Sequence, residues 1–417
     1  MSSARDTASA YDLPAPTSDE SLTRVGRGTP MGELLRRYWH PVCKSDKLQS
    51  VPVRVRALGE EVILFRKPNG DAGAVYPRCI HRGSTLFYGK VTDDGIRCRY
   101  HGWTFDTDGR CTDQPCEPNR GGKGRSAFRQ PWYPVEERYG LVFIYMGPLD
   151  RKPALPRHEV LESIPDGWEL YADDTNIPSA GAGYMPCNWL QHHENGLDWA
   201  HVSVVHAEQF PPLLAEASKA DNSTFRCVAK EDRIEGHAVA KLSGMRMDFK
   251  VALFVPNVRA IPDPLLQAVR PDGKVNNIQW TVPKDDTDTV VFTVLVQPAG
   301  ADLYSEEDMR IYNGKLWTEL TPEEHQLYPG DFETQVGQGE ITFHSEEHLV
   351  GTDKGIFLLR RMLKAAAKTV AEGGDPPLAF GPDEIRIDTA AGVEFGADPD
   401  FVAPEESDHS DAALARS

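Results

Sequence analysis

The chain has 417 residues, 40% hydrophobic and 26% charged, which is enough for a sizeable core and more than one average domain. With 63 Asp and Glu against 45 Lys and Arg, the formal net charge is -18, which argues against the basic face that nucleic-acid binding needs. No apolar run approaches the ~18 residues of a membrane span, the first residues carry no apolar signal core, and seven sparse cysteines suit a reducing compartment. The expected location is therefore cytoplasmic, and any clustered cysteine is a candidate metal ligand.

Residues 1–23, rich in Ser, Thr, Asp and Pro, read as a loose N-terminal arm. Met31 to Tyr38 has the spacing of a short helix. From Val53 the pattern alternates to Leu58, breaks at Gly59 and resumes through Phe65, a hairpin pattern that opens a small β domain over 24–150, closed by a strand at Tyr139 to Tyr145. Prolines between Pro148 and Pro156 mark a boundary. Residues 151–377 mix a helical segment at Asn188 to His206 with alternating runs at Met245 to Leu253 and Thr289 to Val296, an α+β pattern with an antiparallel sheet among helices. Ile356, Leu359, Leu363, Ala366 and Val370 keep helical spacing, with Asp353 in the first turn and Gly373-Gly374 as the stop. Residues 381–417 carry ten acidic and two basic side chains, so 378–417 reads as a solvated acidic tail.

Two mixed pairs stand in the β domain: Cys79-Ile80-His81 and, sixteen residues later, Cys98-Arg99-Tyr100-His101. Gly83 and Gly102 follow them, where tight turns are needed. Buried cysteines beside accidental histidines would be one account of this set. A structural zinc site is another, although zinc sites usually pair like ligands. In the third account two cysteines hold one iron and two histidines the other iron of a 2Fe-2S cluster, and the spacing favours it. Through these residues and Trp103 the chain resembles the Rieske non-haem iron oxygenases. The cluster loops lack the extra disulfide-forming cysteines of respiratory Rieske proteins, and Cys111 and Cys116 read as free thiols or packing residues.

Downstream stands Asp198-Trp199-Ala200-His201-Val202-Ser203-Val204-Val205-His206. Two histidines and a carboxylate on one octahedral face leave open positions for dioxygen. A five-residue interval puts His201 and His206 about 140° apart on an ideal helix, so both reach one iron only if the helix ends or bulges there. The segment matches the D-x2-H-x4-H motif of the family. The resemblance implies that His201 and His206 bind mononuclear Fe(II), and that Asp198 is no ligand but bridges a cluster histidine, His101, of one subunit to His201 of its neighbour. It also implies that the third ligand is Asp331, four residues before Gln335, with Glu333 as the substitute. The residues alone suit Asp331 equally well as a helix cap. His192 and His193 fall outside the motif and read as structural or as neighbours of the ligands.

Gly28-Thr29-Pro30-Met31-Gly32, the segment Val282 to Thr287 and His344 to Leu349 are similar to the phthalate dioxygenase group, which hydroxylates or O-demethylates aromatic acids and ethers; the last of these departs from the group's usual Asp-Arg-Ser. The resemblance implies a terminal oxygenase using O2 and electrons from a separate reductase or ferredoxin, in a ring-shaped homotrimer. It points to demethylation of a methoxylated biaryl such as 5,5'-dehydrodivanillate, with dihydroxylation of a phthalate-like or phenoxybenzoate-like acid as the alternative. An electron-transfer protein without oxygenase activity is the rival from another class, and a zinc-stapled binding module a third possibility. Arg246, Lys250 and Arg259 are candidates to hold a substrate carboxylate, although Arg246, Asp248 and Lys250 would equally form the solvated face of a strand.

Overall fold

The computed structural model describes residues 13–177, 181–206, 225–242, 245–262, 270–301, 310, 313–379 and 385–397. The N-terminal β domain is built from three small antiparallel sheets. The first joins Trp39–Lys44, Leu141–Tyr145 and Val135–Arg138; the second joins Val53–Ala57, Glu60–Arg66, Ala72–Val75 and Trp132–Tyr133. The third, made of Lys90–Thr92, Gly95–Arg97, Thr104–Phe105 and Cys111–Asp113, carries the second Cys/His loop between its middle strands. Ile63, Phe65, Val75, Leu86, Ile96 and Phe105 form the apolar core beneath the loops.

The predicted hairpin forms, with Ala57 opposite Glu60 and a two-residue turn at Leu58 and Gly59. Both turn residues have positive φ, +50° and +78°, the geometry that matches the twist of paired strands. Their amides donate to the carbonyls of Pro283 and Lys284, at 2.9 and 2.8 Å, and so join the two halves of the chain.

The C-terminal half is organised on one antiparallel sheet in the order Trp168–Asp173, Thr289–Pro298, Asn277–Pro283, Val258–Ala260, Met245–Phe254, Arg233–Leu242, Arg226–Ala229. Ile278, Trp280, Val282, Phe292, Val294 and Val296 line one face and pack on Trp39, Phe143 and Tyr145 of the β domain. The helices Trp189–Asn195 and Lys354–Ala371 bury Trp189, Leu190, Leu359 and Leu363 in a second core with Met31, Leu34 and Leu253. The helical segment expected from Asn188 to His206 is two helices, Trp189–Asn195 and Val202–Val205, separated at Gly196. Among the described residues, no helix is long and apolar enough to cross a membrane.

Both chain ends depart from the loose segments expected from composition. In the N-terminal arm, Thr17 N donates to Ser345 Oγ and Asp19 N to His344 Nδ1. Asp19 also caps the helix Glu20–Thr23. Residues 1–12 lie outside the described residues. In the acidic tail, Arg386–Ile387 pairs in parallel with Arg157–His158, and Gly392–Ala397 pairs with Met245–Lys250. The summed charge concealed a period of two: Ile387, Thr389 and Ala391 are buried, while Arg386, Asp388 and Ala390 face outward. The rest of that segment, 380–384 and 398–417, lies outside the described residues. Ile387 is 5% exposed, so Ile387→Ala is expected to lower the unfolding free energy by about 2–4 kcal/mol in denaturant titrations. A solvated tail would give no change.

Candidate metal centres

The two Cys/His loops close in the same way. Cys79 N donates to Ser84 O and Cys98 N to Trp103 O, both at 2.8 Å, while Gly83 N donates back to Cys79 O and Gly102 N to Cys98 O. Gly83 and Gly102 sit at φ +75° and +76°, which favours glycine. The like side chains therefore face each other across the loops. The two thiols are hydrogen-bonded: the bond from Cys79 lowers Cys98 to about 5, and the same bond, with burial, pushes Cys79 up. The imidazoles of His81 and His101 meet edge to face at 4.5 Å, and His81 Nδ1 is buried with no hydrogen-bond partner among the described residues. A buried imidazole nitrogen left unpaired calls for a ligand, and a sulfur pair beside a nitrogen pair suits the two unlike irons of a mixed-ligand 2Fe-2S cluster.

The loops are fixed from outside. Trp103 stacks on His81 with centroids 4.6 Å apart and planes 3° from parallel. Buried Gln130 accepts from Ile80 N and donates to the carbonyls of Tyr76 and Arg78. Its role has no local sequence signal, since it lies some fifty residues from the loop it holds. The Cys116 thiol faces His101 O and Cys111 is buried.

Among the described residues, His201, His206 and Asp331 form a group whose ligand atoms lie within 4.8 Å of one another. Asp331 Oδ1 stands 3.1 Å from His206 Nε2 and 3.4 Å from His201 Nε2. Ligands on adjacent corners of one octahedral ion, each ~2.1 Å from it, are about 3.0 Å apart, so the three atoms suit one metal. The helix Val202–Val205 is only four residues long, with His201 and His206 at its two ends. That early termination lets a five-residue interval converge. Asp331 is the first residue of the helix Asp331–Val336, whose N-cap position is Gly330 rather than the acid, and its side chain turns to the histidines. Burial alone would raise its carboxyl, but His206 and His201 hold it well below the usual carboxylate range.

Asp198 is partly exposed. Its Oδ1 accepts from Ala200 N and His201 N at 3.0 and 3.3 Å, and its Oδ2 lies 3.7 Å from His201 Nδ1. That ring nitrogen also rests against the Asp198 carbonyl, and Asn195 Nδ2 is 3.3 Å from His201 Nε2. Glu333 is engaged elsewhere, accepting from Trp317 Nε1 and His325 Nδ1 at 2.7 Å each. His192 Nδ1 donates to Gln335 Oε1 at 2.8 Å; burial and then Arg259 lower it to about 3, so it stays neutral. His193 is fully buried against Trp189. Gln335, four residues after Asp331, thus ties the helix that carries the acid to the helix that precedes the histidines.

The three candidate substrate cations separate. Arg246 pairs with Asp248 and Lys250 with Glu394 on the partly exposed face of an interior strand, so both belong to the solvated face. Alternation put them on one face; it could not say which face met water. Arg259 is buried and donates to His192 O beside the metal group.

The model of the Rieske [2Fe-2S] domain matches residues 38–134. The chain is 42% identical over 391 residues to phenoxybenzoate dioxygenase subunit alpha of Ectopseudomonas oleovorans, covering 89% of this chain and 90% of that one. It is 31% identical to the 5,5'-dehydrodivanillate O-demethylase oxygenase subunit of Sphingobium sp., over 86% of this chain and 81% of the relative. The terminal oxygenase of carbazole 1,9a-dioxygenase from Novosphingobium sp. KA1 shares the fold, with a TM-score of 0.54 and 22% identity over 80% of this chain and 94% of that one.

The loop glycines supply a test. A Cβ at Gly102 would meet Pro115 Cγ at 2.4 Å, whereas one at Gly83 meets the movable Arg78 guanidinium at 3.2 Å. Both substitutions carry the left-handed strain of about 1–2 kcal/mol. Gly102→Ala is therefore expected to purify with less than half the visible cluster absorbance per protein, and Gly83→Ala with most of it.

Proposed function

The chain belongs to the Rieske non-haem iron aromatic oxygenases as a terminal oxygenase component, and on that premise we propose that Cys79 and Cys98 hold one iron of the 2Fe-2S cluster, His81 and His101 the other, and His201, His206 and Asp331 the mononuclear Fe(II). The observation that carries the reading is the convergence of His201, His206 and Asp331, drawn from helices more than a hundred residues apart, within the distances of one ion. Bound there, iron supplies dioxygen activation with electrons that reach it through the cluster from a separate reductase or ferredoxin.

The protein's own part is placement. Asp331 brings one negative charge to a dry site; His201 and His206 offer Nε2 and keep Nδ1 for outer partners. Asp198 has Oδ1 committed to backbone amides and Oδ2 turned outward, which suits a bridge to His101 of the partner subunit in a closed homotrimer. The substrate is an aromatic acid. Of the two acids named in the relatives, the higher identity to the phenoxybenzoate enzyme favours a phenoxybenzoate-like compound over the biaryl that the sequence suggested.

Purified protein should carry two cluster irons and one mononuclear iron per chain and give the EPR signal of a reduced Rieske cluster, with oxygen uptake on 3-phenoxybenzoate. Tightly bound zinc and no signal would sink the reading. Asp331→Ala should lose the mononuclear iron and turnover but keep the cluster signal; retained iron would hand the ligand role to another acid.

Asp198→Asn keeps the shape and removes the charge that two imidazole N–H groups share. Both centres should stay loaded, while single-turnover oxidation of pre-reduced, substrate-bound enzyme slows by orders of magnitude in rapid-mixing absorbance. A wild-type rate, or loss of the mononuclear iron, would remove Asp198 from the bridging role.

A further inference from the structure

The strand Asn277–Pro283 is buried along its whole length, yet its two faces differ. Ile278, Trp280 and Val282 enter the apolar core. Asn277, Gln279 and Thr281 face the other way. That second face is the one the helix Trp189–Asn195 covers, because Arg259, opposite Gln279 in register, donates to His192 O. Thr293 stands opposite Gln279 on the other side, so Arg259, Gln279 and Thr293 form one row across three strands. Opposed residues of this kind point the same way with Cα atoms about 4.5–5.5 Å apart.

All three side chains are at most 6% exposed, and among the described residues Arg259 Nε, Gln279 Oε1 and Thr293 Oγ1 have no hydrogen-bond partner. Buried polar groups are costly unless bonded, and the amide of Gln279 can present either of its ends. The guanidinium is the sharper case. Among the described residues, no carboxylate forms an ion pair with Arg259; Asp331 acts on it only at a distance, and its charge is turned to His206 and His201. Asp173, the acid at the far end of the row, stands opposite Thr293, roughly 14 Å from Arg259 by three strand spacings. Its Oδ1 is held by Thr175.

We propose that Arg259, Gln279 and Thr293 form the carboxylate-binding floor of the substrate cavity, so that an aromatic acid docks its acid group on the sheet and leaves its ring toward the metal group. The inference rests on the oxygenase reading and deepens it. A carboxylate supplies the missing counter-charge to Arg259 and accepts from the Gln279 amide and the Thr293 hydroxyl. A neutral analogue leaves the guanidinium uncompensated, and sites built for a charged group reject such analogues strongly.

The test is calorimetric titration of oxidised holoenzyme with 3-phenoxybenzoate and benzoate, each beside its carboxamide. At least one acid should bind at least 30-fold more tightly than its amide. Because Arg259 also holds a helix carbonyl, the informative variants are the near-isosteric Gln279→Met and Thr293→Val. Each should weaken the acid at least tenfold and the amide less than twofold, with iron content and EPR signal unchanged. Metal-loaded protein in which no acid outbinds its amide, or variants that keep the acid preference, overturns this inference alone. Wild-type protein lacking the two metal centres overturns the oxygenase reading and this inference with it.

Discussion

The site depends on one helix that is prevented from moving. Trp189–Asn195 precedes the two histidines, and bonds grip it from three directions. Arg360 of the last helix takes Glu194 with both arms of its guanidinium while also holding Glu347. Gln191 Nε2 donates to the carbonyls of Gln335 and Gly339, and Arg259 donates to that of His192. Three side chains that arrive from distant parts of the chain can meet within a few tenths of an ångström only if the elements carrying them cannot slide past one another. Here the slide is blocked by charge-assisted and buried hydrogen bonds, which cost most to break where water is excluded.

The same logic explains what could be read in the sequence. The cluster loops were legible because their chemistry is local: ligand spacing, a glycine at positive φ and an aromatic neighbour all lie within six residues. The interval from His201 to His206 was legible as a geometric demand, which the structure meets by ending the helix at both histidines. Asp331 came only from the family resemblance, as an acid four residues before Gln335, and the structure gives that spacing a reason in the bond that His192 donates to Gln335.

What could not be read was non-local or depended on which side of an element faces water. Gln130 holds a loop fifty residues away. Composition made both chain ends look loose, yet one is bonded to Ser345 and His344 and the other adds strands to two sheets. Alternation placed Arg246 and Lys250 correctly on one side of a strand and was silent about the packing around it. The row from Arg259 to Thr293 has no sequence signature, because its members come from three strands and meet only through register.

The two-sided sheet also bears on how such a chain can change over evolutionary time. Ile278, Trp280, Val282, Phe292, Val294 and Val296 are committed to the junction with the β domain, whereas Asn277, Gln279, Thr281 and Thr293 project from the opposite side of the same strands. Strand geometry keeps the two sets independent. A lineage, or a mutagenesis library, can therefore vary the second set without loosening the seam between the halves. The hairpin turn anchored on Pro283 and Lys284 stays in place throughout, so change on one side of the sheet need not part the two halves of the chain.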